Sequence, residues 1–221
     1  MKYKCLVLDH DDTTVNSTPC IHYPAFVKIL EELRPGVTYT QEEFLTANLT
    51  PGLGVFYRDM LGFTPEEMDR EQVIWKEYIA AVTPPFFPGM PELIRRFRAS
   101  GGIVCVVSHS FPEAIRRDYA AAAVPLPELI YGADLERSKN KPHPWPLEDI
   151  MDRTGCSADE LLMVDDLNAG LDMAHSCGVC FAACGWGYEN QQIRAFMEKN
   201  ADHYLNTVAD LENLLFTGEV A

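Results

Sequence analysis

Short, largely apolar runs that end in polar residues are the dominant pattern along this chain. The runs cover residues 3–8, 103–107, 161–164 and 179–183. The first three are followed at once by Asp9, by Ser108 and by the pair Asp165-Asp166. Uninterrupted apolar runs of this length are typical of strands that are buried on both faces of a parallel sheet. The pattern therefore predicts a parallel sheet with polar side chains at its strand ends.

Helical patterns separate the apolar runs. The predicted helices of this part of the chain cover residues 91–100, 112–123, 146–154 and 169–176. Three of them begin with proline, which suits the first turn of a helix, and glycine follows the first and the last. The alternation of strand and helix predicts an α/β fold with a doubly wound, Rossmann-like parallel sheet. Ligands bind beyond the carboxyl ends of the strands in such sheets, so the polar strand ends are expected to meet at one rim.

The segment from about residue 18 to residue 85 breaks this alternation. It shows helical periodicity without a clear buried strand, with predicted helices at residues 23–33, 41–48, 54–61 and 65–82. The sequence Thr83-Pro84-Pro85 at its end is typical of a hinge. We therefore predict an all-helical cap domain, residues 18–85, inserted into a core domain that is formed by residues 1–17 and 86–221.

The overall composition limits the class of partner. The chain has 221 residues, of which 47% are hydrophobic and 23% charged, and its net charge is −15. This is the composition of a globular protein, and its acidic balance argues against binding to nucleic acid or to an anionic membrane, since both need a positive surface. The chain has no apolar stretch of about 18 residues and no signal-like start, so we expect a cytoplasmic protein whose seven cysteines are reduced thiols.

The aspartate cluster after the first apolar run is the first candidate for chemistry. Asp9 and Asp11 are two residues apart just past a predicted strand end, and Asp12 follows. One carboxylate can act as a nucleophile and the other as a proton donor and acceptor, which is the division of labour in phosphate ester hydrolysis. Taken alone, the cluster also fits a turn or a helix N-cap. A calcium loop fits poorly, because the later ligands and the glycine of such a loop are missing.

Several segments in a fixed order resemble the motifs of the haloacid dehalogenase-like hydrolases. The matching segments are Asp9-x-Asp11-Asp12-Thr13, Ser108, Lys141-Pro142-His143-Pro144 and Met163-Val164-Asp165-Asp166. The segment Phe87-Pro88-Gly89-Met90-Pro91-Glu92-Leu93 resembles the point where the chain of this family re-enters the core from the cap. The resemblance covers nearly the whole chain. It indicates the branch with a helical cap that includes phosphoglycolate phosphatase-like and β-phosphoglucomutase-like proteins.

The resemblance implies a role for each matched residue. Asp9 is the implied nucleophile, Asp11 the acid and base, and Lys141 the cation that neutralises the phosphate oxygens and holds Asp9. The implied cofactor is Mg²⁺, bound by Asp9, by the backbone carbonyl group of Asp11 and by Asp166, with Asp165 nearby. The implied substrate-binding residues are Ser108, His109, Thr13 and His22. For His22, a polar position on an amphipathic helix is an equally good interpretation.

The fourth motif departs from the family pattern. The family sequence is commonly GDxxxD, whereas Asp165 stands here in the place of the glycine and Gly170 in the place of the second carboxylate. Asp165 and Asp172, which lies two residues too late, are both candidates for the missing carboxylate. The departure concerns the groups around the metal more than the metal itself.

The resemblance implies a Mg²⁺-dependent phosphatase that hydrolyses a small-metabolite phosphomonoester through an aspartyl-phosphate intermediate. A β-phosphoglucomutase-like phosphomutase and a catalytically inactive binding protein of the same fold stay open as alternatives. Asp11 argues against a 2-haloacid dehalogenase, because that branch does not keep this aspartate. The expected partner is a small phosphate ester, with no nucleic acid and no membrane, and the expected state is a monomer or a weak homodimer.

Overall fold

The computed structural model describes residues 2–218 and shows a parallel sheet with helices on both sides. Its six strands are β1 (Cys5–Leu8), β2 (Ile103–Val107), β3 (Leu129–Tyr131), β4 (Leu161–Asp165), β5 (Cys180–Cys184) and β6 (His203–Leu205). Their order across the sheet is β3-β2-β1-β4-β5-β6, and every pairing is parallel. The predicted fold class, a doubly wound α/β core with a helical cap, is confirmed.

Successive side chains of the central strands point to opposite faces of the sheet, where they pack into two apolar layers. Val7 and Met163 face one layer, whereas Leu6, Leu8 and Val164 face the other. The six core helices that cover the two faces are α5 (Met90–Ala99), α6 (Pro112–Ala121), α7 (Trp145–Thr154), α8 (Asn168–Ser176), α9 (Gln191–Asn200) and α10 (Val208–Phe216). Strands β1, β2 and β4 are therefore enclosed on both faces, as their apolar sequences predict.

The cap is helical and packs around aromatic side chains. Its helices are α1 (Tyr23–Leu33), α2 (Gln41–Leu49), the short α3 (Leu53–Val55) and α4 (Pro65–Ala81). Phe26 lies at the centre, with its ring centroid 4.8 Å from that of Phe44 and 6.2 Å from those of Phe56 and Tyr57. Capping boxes begin α2 and α4, where threonine and glutamate side chains satisfy the free N–H groups of the first turn.

The two connections between core and cap lie side by side. The N–H group of Asn16 donates to the carbonyl oxygen of Pro85 (2.8 Å), and that of Phe87 donates to the carbonyl oxygen of Thr14 (3.1 Å). Cap boundaries at residues 18 and 85 agree with this pairing but stay a prediction. The outer ends of the predicted core domain, residue 1 and residues 219–221, lie outside the described residues.

Some elements differ from the sequence-based prediction. Strands β3 and β6 have three residues each, too short to show a pattern, and were missed together with helices α9 and α10. The helix predicted at residues 54–61 is present but is not a regular α-helix: the chain passes from α3 into a single π turn, Phe56–Met60, in which the Leu61 N–H group donates to the Phe56 carbonyl oxygen. No helix within residues 2–218 is both long enough and apolar enough to cross a membrane.

Candidate active site

Strand register aligns the acidic residues at one rim of the sheet. Leu8 is level with Val164 of β4, so Asp9 and Asp165 occupy the next level together. The N–H group of Asp9 donates to the carbonyl oxygen of Val164 at 2.9 Å, which fixes the backbone there. Asp9 and Asp165 are buried, with 4% and 1% of their surface exposed. The predicted gathering of carboxylates at the carboxyl ends of the strands is therefore present.

Lys141 lies between two of these carboxylates. Its Nζ donates to Asp9 Oδ1 at 2.6 Å and to Asp165 Oδ2 at 2.7 Å, and the side chain is 5% exposed. Burial disfavours the ammonium ion, yet Asp165 and Asp9 together raise the pKa of Lys141 above its ordinary value. Lys141 is therefore a buried cation whose position is set by two carboxylates.

A third carboxylate completes an acidic group that suits a divalent cation. Asp9, Asp165 and Asp166 each offer an oxygen, and these oxygens lie within 4.8 Å of one another. Burial and repulsion from Asp165 and Asp11 raise the pKa of Asp9 to about 7 despite the opposing effect of Lys141. Burial and the same kind of repulsion raise the pKa of Asp166. Three buried carboxylates with one buried ammonium group leave an excess of negative charge, which a hard cation with oxygen ligands would neutralise.

Gly170 explains the unusual fourth motif. A Cβ atom on this residue would lie 2.2 Å from Asp165 Oδ2 and 2.7 Å from Asp165 Cβ, so no side chain fits there. Asp165 is held in this place by Lys141 and by the N–H group of Leu167, which donates to its Oδ1 at 2.9 Å. Asp172 is exposed on α8. The space that a carboxylate at position 170 would take is therefore filled by Asp165.

Asp11 belongs to a second group of side chains that links the core to the cap. Ser110 Oγ donates to Asp11 Oδ2 at 2.6 Å, and His22 Nε2 lies 3.0 Å from Asp11 Oδ1. Burial alone would raise the pKa of Asp11, but His22 and the Ser110 hydrogen bond hold it well below its usual range. The indole N–H of Trp75 in α4 donates to His22 Nδ1 at 3.0 Å. Because this indole can only donate, the neutral ring of His22 carries its proton on Nε2, facing Asp11.

Asp12 has a structural position beside these two groups. Its Oδ1 accepts a hydrogen bond from the Thr18 N–H group at 2.9 Å, and its Oδ2 accepts one from the Thr18 hydroxyl group. Its backbone takes a φ of 54°, which turns the chain away from the strand. The carboxylate thus anchors the first turn of the cap to the core, although the N-cap residue of that turn is Ser17 and not Asp12.

This arrangement has close parallels among known proteins. A family model described as haloacid dehalogenase-like hydrolase matches residues 6–184 of the chain. The chain belongs to the haloacid dehalogenase-like hydrolase family. The predicted family is therefore confirmed, and with it the expectation that the protein is a hydrolase.

Individual relatives agree with this assignment. The phosphoglycolate phosphatase of Aquifex aeolicus (strain VF5) is 27% identical over 202 residues, which cover 87% of this chain and 91% of the relative. The crystal structure of a predicted phosphoglycolate phosphatase from Haemophilus somnus 129PT has a TM-score of 0.77 at 19% identity and covers 97% and 98% of the two chains. A family hydrolase of Deinococcus radiodurans R1 with bound phosphate and sodium has a TM-score of 0.73 at 19% identity, covering 97% and 95%.

A cavity of about 620 Å³ connects the family motifs to the cap. Asp9, Asp11, Ser108, His109 and Lys141 line its core side. The predicted substrate-binding residue His22 lines its cap side, next to Trp75. Core and cap therefore enclose one space that brings most of the predicted site residues together.

The remaining predicted contacts differ in how directly they face this cavity. Ser108 is buried, and its Oγ accepts a hydrogen bond from the Ser110 N–H group at 3.1 Å. One ring nitrogen of His109, Nε2, lies 2.9 Å from the carbonyl oxygen of Lys141 and so holds the lysine loop. Thr13 is fully buried behind the rim, with its Oγ1 3.4 Å from Asp166 Oδ1. Contacts of these three residues with phosphate stay a prediction.

Three polar residues of this region were missed in the sequence. Tyr188 donates its hydroxyl group to Asp166 Oδ2 at 2.7 Å, and its position just after the Gly185-Trp186-Gly187 loop was the available signal. Ser110 lies two residues after Ser108, within the segment that already carried the second motif. Trp75 sits on a helix whose apolar pattern explains a tryptophan equally well as packing.

Proposed function

We propose that this hydrolase is a Mg²⁺-dependent phosphatase that acts on a small phosphomonoester through an aspartyl-phosphate intermediate at Asp9. The observation that carries the proposal is the pairing of two differently tuned carboxylates in one cavity. Asp9 contacts the buried ammonium group of Lys141, whereas Asp11 contacts Ser110 and His22. A nucleophile and a proton-transfer group need such separate environments.

In the first step, an Asp9 oxygen attacks phosphorus and the bond to the leaving-group oxygen breaks. Asp11 donates a proton to that oxygen, so the alcohol departs neutral. The pKa of Asp11 is low in the free protein. An arriving phosphate dianion raises it, because a nearby negative charge disfavours the carboxylate.

In the second step, Asp11 accepts a proton from water while the water oxygen attacks phosphorus. The bond from phosphorus to the Asp9 oxygen breaks, which regenerates the carboxylate and releases inorganic phosphate. Lys141 neutralises charge on the transferred phosphoryl group throughout, and Ser108 donates a hydrogen bond to it. We assign His109 and His22 to the walls of the substrate site, and Thr13 to the backbone segment that binds phosphate.

Magnesium fits the residues that surround Asp9. We propose that Asp9 and Asp166 provide carboxylate oxygens and Asp11 its backbone carbonyl oxygen. Bound there, the cation screens the repulsion between the anionic nucleophile and the anionic phosphate. Asp165 is better placed to orient Lys141, since its two oxygens already accept hydrogen bonds from Lys141 and from the N–H group of Leu167, just before α8.

The size of the cavity supports a small substrate. At about 620 Å³, with the cap as one wall, it suits a metabolite and leaves no room for a macromolecule. The chain's net charge of −15 agrees with a partner that is neither nucleic acid nor membrane. A cytoplasmic location and a monomeric or weakly dimeric state stay predictions.

Release of inorganic phosphate from a panel of small phosphate esters tests the proposal. We expect release with Mg²⁺, none with EDTA, and none from the Asp9→Asn variant. A folded wild-type protein that releases no phosphate from any ester would contradict the proposal. Isomerisation of a sugar phosphate that depends on a bisphosphate would then indicate the phosphomutase.

A further inference from the structure

The wall of the cavity opposite the catalytic groups is formed by one face of α4. Met68, Glu71, Gln72 and Trp75 line the cavity from this helix. Residues three and four apart share a helix face, so these side chains form a continuous strip. Its end at Trp75 contacts His22, which in turn contacts Asp11. The strip therefore starts beside the proton-transfer group and leads away from it along the cap.

Glu71 is the charged residue of this strip, and it lacks a cationic partner. It is 5% exposed. Among residues 2–218, its one hydrogen bond comes from the Gln72 side-chain amide, which donates to Oε2 at 2.8 Å, and no lysine, arginine or histidine pairs with it. Burial raises the pKa of Glu71. Because Glu71 also lines the cavity, a bound ligand can provide a further partner for its carboxyl group.

The surroundings of Glu71 indicate the chemistry of that ligand. Phe26, Phe44, Tyr57 and Trp75 line the same cavity. The negative charge of Glu71 is close enough to Tyr57 to help raise the pKa of its hydroxyl group, after the larger effect of burial. Aromatic faces combined with a carboxylate are the usual recognition elements for ammonium cations, including quaternary ones.

The cap side of the cavity offers little positive charge to an anionic leaving group. Arg58 is the one arginine or lysine that the described cap residues contribute to the cavity wall. Its side chain is 53% exposed and lies 3.6 Å from the carboxylate of Asp59. Arg137, which lines the cavity from the core, is also exposed, and buried Lys141 is held by Asp9 and Asp165. A carboxylate-bearing leaving group would therefore meet Glu71 without a buried cation on the cap side.

One cavity connects Glu71 to the proton-transfer group. Glu71 precedes Trp75 by one turn, a rise of about 6 Å along the helix. Asp11 protonates the leaving-group oxygen in the proposed reaction, and the cavity that Asp11 lines extends along α4 past Trp75 to Glu71. We propose that the leaving group carries an ammonium cation bound by Glu71 and the aromatic side chains, which makes the substrate a phosphate ester of a small amino alcohol. This inference rests on the proposed phosphatase function.

A matched set of esters tests the charge directly. Choline phosphate and 3,3-dimethylbutyl phosphate have the same shape and differ in the positive charge, and phosphoglycolate carries a negative charge instead. We expect kcat/KM for choline phosphate to exceed that for the neutral ester by about tenfold or more. We expect phosphoglycolate to be the poorest of the three.

Substitutions on α4 locate the preference. Glu71→Gln keeps the size of the side chain and should reduce the preference for the cationic ester to about twofold or less while the neutral ester is still hydrolysed. Glu77→Gln removes the same charge from an exposed position of the same helix and should leave the preference intact. An equal loss in both variants, or no loss in Glu71→Gln, would overturn the inference.

A binding measurement separates this inference from the proposed reaction. Calorimetric titration of the Asp9→Asn variant with the same three esters needs no turnover. Tighter binding of choline phosphate than of its neutral counterpart would support the cation site even if no ester is hydrolysed. Equal binding of the two, or tighter binding of phosphoglycolate, would overturn the inference even if all three esters release phosphate and so satisfy the proposed function.

Discussion

A methyl group at position 170 is expected to disturb Lys141, the lysine that we propose acts in catalysis. In Gly170→Ala, the new Cβ atom would lie 2.2 Å from Asp165 Oδ2, and Asp165 must retreat by about an ångström to restore normal contact. Asp165 cannot move without stretching its 2.7 Å contact with Lys141, and both side chains are at least 95% buried. The substitution therefore acts on Lys141 through Asp165.

The magnitude follows from opposing effects. Alanine in place of glycine within a helix normally stabilises by about 1 kcal/mol. Overpacking costs about 1–3 kcal/mol, and disruption of a buried ion pair costs up to about 3–5 kcal/mol. We expect a net loss of about 1–3 kcal/mol in the free energy of unfolding and a fall of about 100-fold in kcat, the usual result when a catalytic group moves by an ångström.

A double-mutant cycle isolates the contact. In the Asp165→Gly background the obstruction is gone, so Gly170→Ala should stabilise the fold by up to about 1 kcal/mol. The double variant Asp165→Gly/Gly170→Asp restores the common family pattern. It should be more active than the Asp165→Gly single variant, although less active than wild type. Urea unfolding gives the free energies and phosphate release gives kcat. If Gly170→Ala had the same effect in both backgrounds, the explanation of the fourth motif would be refuted.

The metal, the nucleophile, the proton-transfer group and the cap each lead to a further test. Magnesium should raise the melting temperature of wild type but not of Asp166→Ala, and an equal rise in both would place the metal elsewhere. Without metal, Asp9 holds its proton more tightly in the folded protein, where its pKa is about 7, than in the unfolded chain. The resulting contribution to stability is complete below about pH 4 and is lost as the pH rises through 7. Asp9→Asn should flatten that part of the profile of melting temperature against pH; an unchanged slope would contradict the raised pKa. Trp75→Phe removes the hydrogen bond to His22 and should lower kcat about fivefold with little change in KM. Arg117→Met removes hydrogen bonds to carbonyl groups at the end of α4 and should raise KM more than it lowers kcat; a selective fall in kcat would argue against a role in holding the cap.

The core of the fold could be predicted because its central strands are buried on both faces. Strands β1, β2 and β4 must be apolar because both of their faces are buried. The polar residue that follows each strand is therefore easy to identify in the sequence. Edge strands carry no such requirement. Strand β6, with the sequence His203-Tyr204-Leu205, is partly exposed at the edge of the sheet, and three residues are too few to show alternation.

The candidate site was predicted where a residue lies at a strand end and missed where a contact crosses elements. Asp9 and Asp166 follow directly from the apolar runs before them. Tyr188 reaches Asp166 from a loop after β5, and Trp75 reaches His22 across 53 residues of chain. Such contacts depend on how the cap and the loops pack, which no local pattern records.

The exchange between glycine and aspartate in the fourth motif could be predicted only in part. The sequence shows that Asp165 and Gly170 are both unusual, and it leaves Asp165 and Asp172 open as the missing carboxylate. The choice depends on a steric contact between a strand end and the first turn of α8. That contact exists only in three dimensions, although its two members are five positions apart.

The most direct test of the account is to trap the phosphoryl group on Asp9. The Asp11→Asn variant lacks the proposed acid and base, so an acyl phosphate formed with Mg²⁺ and 4-nitrophenyl phosphate, whose leaving group needs no protonation, should persist long enough to be reduced with borohydride. The account predicts that peptide mass spectrometry finds homoserine at position 9, and none in the Asp9→Asn control. Phosphate release by wild type with a phosphoryl group trapped at any other residue would contradict the central claim.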